Sequence, residues 1–287
     1  LQSGQKRAIV AAESNPEENK RIMNTWNRSG QPVRFHRRGW FFRLSPLLPA
    51  EDFARFLETV DSSLSRGTTL KDSRTTTAAI RVLPPVGPVF LKRTNSKGFR
   101  FMLRYLFRRA RSFRAAAATN ALIRAGIETP AVLAVGEHRT GHLLHAGYII
   151  NEALENARSC HGLLARTDSP AELLGPLTGK AVALLTELHR RNIVHGDYKL
   201  SNIYWTPDGK PGTWDLDGAA ILSAPSRKRM TEDLYRLASS LRQVLNKYHP
   251  AFRITDRELC ETVVSGYAGP VPVSADTLCD LLKRERK

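Results

Sequence analysis

The stretch His195-Gly196-Asp197-Tyr198-Lys199-Leu200-Ser201-Asn202-Ile203 sets a carboxylate and a carboxamide five residues apart. A second acidic group, Trp214-Asp215-Leu216-Asp217-Gly218, places Asp215 thirteen residues after Asn202. Phosphoryl transfer calls for this combination: one carboxylate to orient a hydroxyl, and oxygen ligands for a divalent cation that neutralises phosphate charge. Asp197 suits the first task. Asn202 offers a metal a neutral oxygen and Asp215 an anionic one, and Mg²⁺ is satisfied by few protein oxygens plus phosphate and water. About a hundred residues upstream, Lys92 ends the apolar run Val89-Phe90-Leu91, where an ammonium would meet nucleotide phosphates. A strand lysine alone is usually a solvated surface group; the downstream pair, in this order, gives it a chemistry. Asp217 is either a further carboxylate at the metal or substrate, or a turn residue binding the Gly218 and Ala219 amides. His195 is expected to support the loop by hydrogen bonding rather than exchange protons.

The elements that must position these residues fall into two textures. Residues 49–52 open a helix with Phe53, Phe56, Leu57 and Val60 on one face and acids at its start. Strands are expected over 75–83 and 88–92, separated by Pro84-Pro85-Val86-Gly87, and over 131–135 and 145–151. An Ala-rich helix over 112–125 is closed by Gly126 and followed by Pro130. Beyond this, Ala181, Leu184, Leu185 and Leu188 recur at helical spacing, and a second helix is expected from Thr231, as its cap, to about Leu245. The fold class is α+β, a small β lobe followed by a mainly helical one.

The 287 residues can bury a sizeable core, and the hydrophobic and charged fractions are those of a globular chain. Forty-four Lys and Arg against 27 Asp and Glu leave +17, which favours an anionic partner and argues against a cationic substrate. Three cysteines without close spacing make a disulfide scaffold or Cys-rich metal site improbable and suit a reducing compartment. No apolar run approaches the ~18 residues that span a bilayer. The opening Leu1-Gln2-Ser3-Gly4 is expected to be a trimmed or appended end, without a signal-peptide core.

These motifs resemble the protein-kinase-like fold, in which H-x-D-x-x-x-x-N and a later D-x-G or D-x-D carry catalysis. More narrowly, the chain resembles the lipopolysaccharide core kinases, which phosphorylate heptose or Kdo sugars. The resemblance runs from about 67 to 245. It rests on Val89-Phe90-Leu91-Lys92, on Ala125-Gly126-Ile127-Glu128-Thr129-Pro130 and on Tyr148-Ile149-Ile150-Asn151-Glu152-Ala153-Leu154. His195 through Asn202, Asp215-Leu216-Asp217 and Asp233-Leu234-Tyr235-Arg236-Leu237 complete it.

It implies a two-lobed architecture, an N-lobe over 46–150 and a C-lobe over 151–287; residues 1–45 are polar and basic and read as a partly mobile extension whose aromatic patch, Trp40-Phe41-Phe42, docks on the main body. It also implies ATP and Mg²⁺ as cofactors. Lys92 would bind nucleotide phosphates, main-chain groups around Asn151, Glu152 and Leu154 would face adenine, and Asp197 would be the catalytic base. Asn202 and Asp215 would hold Mg²⁺, and Asp233 would hydrogen-bond the catalytic-loop backbone. The chain departs from the pattern twice. No Asp or Glu lies between Ser73 and Ile127, so the helix Glu that usually pairs the strand Lys is absent, its place falling near Ala115. Either phosphates alone hold Lys92, or a carboxylate from elsewhere, such as Glu137, reaches it, or catalysis is impaired. The phosphate-covering loop expected at 71–75 has no glycine.

Residues 92–114 hold nine Lys or Arg and no acid, interleaved with Phe101, Met102, Leu103, Tyr105, Leu106 and Phe107. If helical, Arg100, Arg104, Arg108 and Arg111 share one face, which suits an anionic membrane surface or the phosphates of a glycolipid. The expected substrate is therefore the anionic glycolipid core of lipopolysaccharide, with inner-membrane contact through Arg100–Arg114, in a cytoplasmic protein peripheral to that membrane. No recognised module speaks for nucleic acid. An aminoglycoside-like or protein phosphotransferase and a nucleotide-binding pseudokinase are the alternative readings.

Overall fold

The computed structural model describes residues 33–285, apart from 38, 47, 67, 85, 96–97, 99–101, 104 and 155, and only the backbone of 61–66, 68–69, 71 and 285. It divides into two compact units, Leu1–Leu103 with Leu133–Glu152, and Arg104–Val132 with Ala153–Lys287. Sequence reasoning divides the chain at 45 and 150 instead. Residues 33–44, assigned there to the basic extension, belong to the first unit's sheet, and 104–132, assigned to the N-lobe, cluster with the second unit.

The first unit contains β1 (Val33–Arg37), β2 (Trp40–Leu44), helix α1 (Ala50–Arg66), β3 (Thr68–Asp72), β4 (Thr76–Leu83), β5 (Gly87–Asn95), β6 (Val132–Thr140) and β7 (Leu143–Glu152). The strands form one sheet in the order β1-β2-β6-β7-β5-β4-β3. Period-two alternation sorts β4 and β5 into faces: Ala79, Leu83, Val89 and Leu91 are fully buried. They join Phe42, Leu44, Tyr148 and Ile150 in a core that includes Phe53 and Val60 of α1. Gly136 stands opposite Phe42 because a Cβ there would lie 2.3 Å from the Phe42 ring. The aromatic patch around Trp40 is thus a paired strand whose Phe42 ring meets Phe53 at 4.9 Å.

The second unit contains α2 (Arg111–Arg124), β8 (Arg158–Ser159), α3 (Cys160–Ala165), α4 (Pro170–Arg190), β9 (Ile193–Val194), β10 (Ile203–Trp205), β11 (Pro211–Thr213) and β12 (Ala220–Ile221). Helices α5 (Arg227–Tyr248), α6 (Asp256–Ser265) and α7 (Ala275–Glu285) follow. The stripe Leu177, Ala181, Leu184, Leu185 and Leu188 of α4 is buried, as its spacing requires. Helix α5 begins four residues before the expected start. Thr231 is therefore a buried interior residue and not a cap. The basic segment does not meet the condition, a single helix, under which its arginines would share a face. Residues 105–108 form a turn, closed by the Arg108 N–H on the Tyr105 carbonyl at 3.2 Å, and α2 begins only at Arg111. Arg108 and Arg111 therefore share no helical face; Arg100 and Arg104 lie outside the described residues. Among the described residues no helix is long and apolar enough to cross a membrane.

Candidate active site

Four short strands of the second unit draw two loops together. The Asp197 loop runs from β9 to β10 and the Asp215 loop from β11 to β12; β9 pairs β12 and β10 pairs β11, both antiparallel. Just beyond the β10–β11 pair, the Trp214 N–H and the Thr213 hydroxyl both donate to the Asn202 carbonyl, at 3.1 and 2.8 Å. Gly196 has φ +76°, and a Cβ there would lie 2.4 Å from the Gly218 carbonyl oxygen. Only glycine permits this approach, which explains why both loops carry one.

Helix α5 fixes the first loop from three positions spaced three and four residues apart, and so on one face. The fully buried Asp233 carboxylate accepts the His195 N–H on Oδ2 and the Gly196 N–H on Oδ1, both at 2.8 Å, and lies 3.3 Å from His189 Nε2. Arg236 Nη1 reaches Asp197 Oδ1 at 3.4 Å while its Nη2 donates to Glu232 at 2.9 Å. Ser240 Oγ accepts the Leu200 N–H at 3.1 Å. The structural role expected of Asp233 is thus visible as two hydrogen bonds to the loop backbone.

Asp197 Oδ2 sits 2.8 Å from Lys199 Nζ and 3.1 Å from Asn202 Nδ2, which also donates to the Asp197 carbonyl at 2.9 Å. Partial burial opposes charge on this carboxyl. Lys199, Arg236 and Asn202 outweigh that penalty and hold it below its ordinary value of 3.8. With its NH₂ committed to Asp197, Asn202 has Oδ1 left as an acceptor, which the Ser201 hydroxyl reaches at 3.4 Å. Asp215 opens the adjoining turn with φ +58° and an exposed side chain, a left-handed conformation uncommon outside glycine. One amide oxygen and one carboxylate on touching loops form a donor set that fits a hard divalent ion.

His195 is buried, and its Nδ1 accepts the Asp197 N–H at 3.3 Å, so Nε2 carries the proton toward Thr213 Oγ1 at 2.8 Å and the Trp214 carbonyl at 3.1 Å. Burial pushes its pKa below 6.5 even though Asp233, Asp215 and Asp197 pull the other way. A neutral, fully engaged imidazole is a strut between the loops.

Lys92 lies in the first unit, within β5 rather than at its end. Residues directly opposite one another in a sheet share a face. Lys92 opposes Ala78 and Ile149, Phe90 opposes Ile80 and Asn151, and Val82 opposes Pro88. Ile80 and Val82 are 39% and 63% exposed, so this face is an apolar strip with an ammonium at one end. Such a surface can take a flat heteroaromatic ring with phosphates beyond it. Glu152 stands opposite Val89, on the face away from Lys92, which leaves its main chain for any nucleotide contact. Half-buried Leu154 follows just after the chain passes from the first unit to the second. Glu137 receives a forked pair from Arg139, Nε at 3.1 Å and Nη2 at 3.2 Å. In the turn expected to cover phosphates, the Ser73 N–H and hydroxyl bond the Thr76 carbonyl at 3.0 Å, and Asn95 Nδ2 donates to the Ser73 carbonyl at 3.3 Å. Those donors are spent inside the turn.

A family model described as the lipopolysaccharide kinase (Kdo/WaaP) family matches residues 57–267, well over half of the chain. The chain belongs to this family. Among solved structures it is similar to one titled "WaaP in complex with acyl carrier protein", at 15% identity and a TM-score of 0.54, covering 81% of this chain and 94% of that one. That likeness extends to the protein-kinase-like fold. No curated protein matches.

The protein is accordingly a kinase, a phosphotransferase acting on a hydroxyl. Sequence reasoning missed three features of this kinase. Lys199 was legible as a cation two residues from Asp197. Arg236 lies in the Asp233 motif, and its spacing from Asp233 places it on the same helical face. The Ile80–Val82–Phe90 strip needed the strand register, which sequence alone does not fix.

Proposed function

We propose that the protein transfers the γ-phosphoryl group of ATP to a hydroxyl of a heptose or Kdo residue in the lipopolysaccharide inner core, at the cytoplasmic face of the inner membrane. The observation that carries this reading is the Asp197 carboxylate, fixed between Lys199, Arg236 and Asn202 on a loop that touches the Asp215 turn. Family membership supplies the substrate class.

In this account Asp197 accepts a hydrogen bond from the acceptor hydroxyl and aligns it with the phosphorus. A carboxylate held below its ordinary pKa is a weak base. It therefore takes the proton late, after bonding to phosphorus has acidified the oxygen, as expected for a loose transition state. Lys199, already at the carboxylate, adds positive charge beside the reacting group. Asn202 and Asp215 would hold Mg²⁺, which when bound offsets charge on the phosphates. Lys92 would contact the α- and β-phosphates, the Ile80–Val82–Phe90 strip would cover one side of adenine, and main-chain groups at 151–154 would meet its edge. An anionic acceptor agrees with the net charge of +17.

The test is a reconstituted reaction in which γ-labelled ATP, Mg²⁺ and lipopolysaccharide from cells lacking the protein are incubated with the purified chain. Mass spectrometry of the released core should show one added phosphate on a heptose or Kdo. Label passing to protein or aminoglycoside acceptors but never to core would contradict the proposal.

A further inference from the structure

The most exposed large apolar side chain among the described residues is Phe107, at 84%. It occupies a corner of the turn over 105–108. The base of that turn is anchored: Tyr105 is 7% exposed, and its hydroxyl accepts from Arg111 Nε at 3.1 Å. Arg108, Arg109, Arg111 and Arg114 around it are all exposed, and the Arg109 guanidinium lies 4.8 Å from the ring centre of half-buried Phe113. No acidic residue occurs in the sequence between Ser73 and Ile127. A pinned turn that exposes a phenyl ring close in sequence to four exposed cations offers one partner an apolar and a cationic contact together.

We propose that this turn docks the protein on an anionic phospholipid bilayer, with Phe107 entering the interfacial region and Arg108, Arg109, Arg111 and Arg114 meeting headgroup phosphates. A bilayer fits because it supplies an apolar layer directly beneath a sheet of negative charge. Phe107, at the corner of the turn, would enter the first layer and the nearby arginines would meet the second. Phe107 sits on a turn, so the docking element is a compact wedge and not an amphipathic helix lying in the interface. The inference deepens the proposed function, since it rests on an acceptor that is itself membrane-anchored. It assigns the turn no part in the chemistry.

Vesicle flotation of the full chain tests it, comparing pure phosphatidylcholine with phosphatidylcholine containing phosphatidylglycerol. Binding should require the anionic lipid and weaken as salt is raised. Phe107→Ser should lower partitioning about tenfold. The double variant Arg108→Gln, Arg109→Gln should lower it about 25-fold, each cation being worth about fivefold. Phe107→Trp should give a blue-shifted emission on anionic vesicles that brominated lipids quench. Transfer to a lipid-free core oligosaccharide by Phe107→Ser should match the wild type. Equal vesicle binding by all variants, an emission of the Phe107→Trp variant indifferent to vesicles, or binding only to acyl carrier protein or nucleic acid would overturn the inference. So would loss of transfer to the lipid-free acceptor. The kinase reading fails separately, if the wild type floats as described yet never phosphorylates core.

Discussion

The two units hold the residues proposed for catalysis and for nucleotide binding by opposite means. In the second, the Asp197 loop is tied by polar bonds: Asp233 to the backbone, His195 to the neighbouring loop, Lys199 and Asn202 to the Asp197 carboxylate. In the first, Lys92 stands on a strand whose outward face is apolar and partly exposed, while Val89 and Leu91 on the opposite face are buried in the core with α1. The second unit is pre-organised for charge, which lowers the reorganisation needed when charge moves during transfer. The first offers a surface whose apolar area becomes favourable only when something covers it. Mutations in the second unit should therefore cost stability and rate together, and mutations on the Lys92 face should cost binding alone.

The largest separation is expected at Asp233. Asp233→Ala strands the His195 and Gly196 N–H groups in the interior and should lower unfolding free energy by about 3–5 kcal/mol, measured by urea titration. A loss below about 1 kcal/mol would mean that α5 does not hold the loop. Gly196→Ala comes next. It combines a left-handed backbone with a contact to Gly218 that no Cβ can enter, so about 2–3 kcal/mol and most transfer activity should be lost. Unchanged stability and activity would show that the two loops do not meet there.

The strut His195 sharpens the comparison through pH. Its folded pKa is depressed, so the unfolded chain binds the proton more readily. The stability it contributes is complete above pH 6.5 and is lost as pH falls below that value, by at most about 1.4 kcal/mol per pH unit. His195→Gln should flatten that slope in thermal melts between pH 5 and 7; an identical slope in both proteins would remove His195 from the account. The smallest stability effect belongs to the first unit. Val82→Ser should change unfolding free energy by less than about 0.5 kcal/mol and yet raise the KM for ATP about threefold with kcat unchanged. A fall in kcat or stability of the size seen in the second unit would erase the distinction.

What could be read from the sequence follows the range of the interactions involved. The Asp197-to-Asn202 spacing and the Asp215 group are local, and the structure brings them onto touching loops. The stripes of α1 and α4 were legible because burial follows helical periodicity. The start of α5 was not, since Arg227, Lys228 and Arg229 hide a first turn after the Ser226 cap, and Glu232 and Asp233 draw the reading to Thr231. The arginine-rich segment has helical spacing, yet residues 105–108 form a turn in which Tyr105 is buried. The hairpin at 33–44 escaped because Arg34, His36 and Arg37 mask its alternation, and only pairing with β6 buries Phe42. Conversely, the capping box of α6, Thr255 with Glu258, was a readable signal that went unused.

The central claim is that the Asp197 loop is the seat of phosphoryl transfer, and a single variant addresses it most directly. Asp197→Asn removes the anion while keeping size and hydrogen-bonding capacity. Rapid-quench measurement of γ-phosphoryl transfer to purified core, alongside calorimetric ATP binding, should show transfer reduced about 10³-fold with ATP affinity within about twofold of the wild type. Transfer at the wild-type rate by a variant that binds ATP normally would contradict the account.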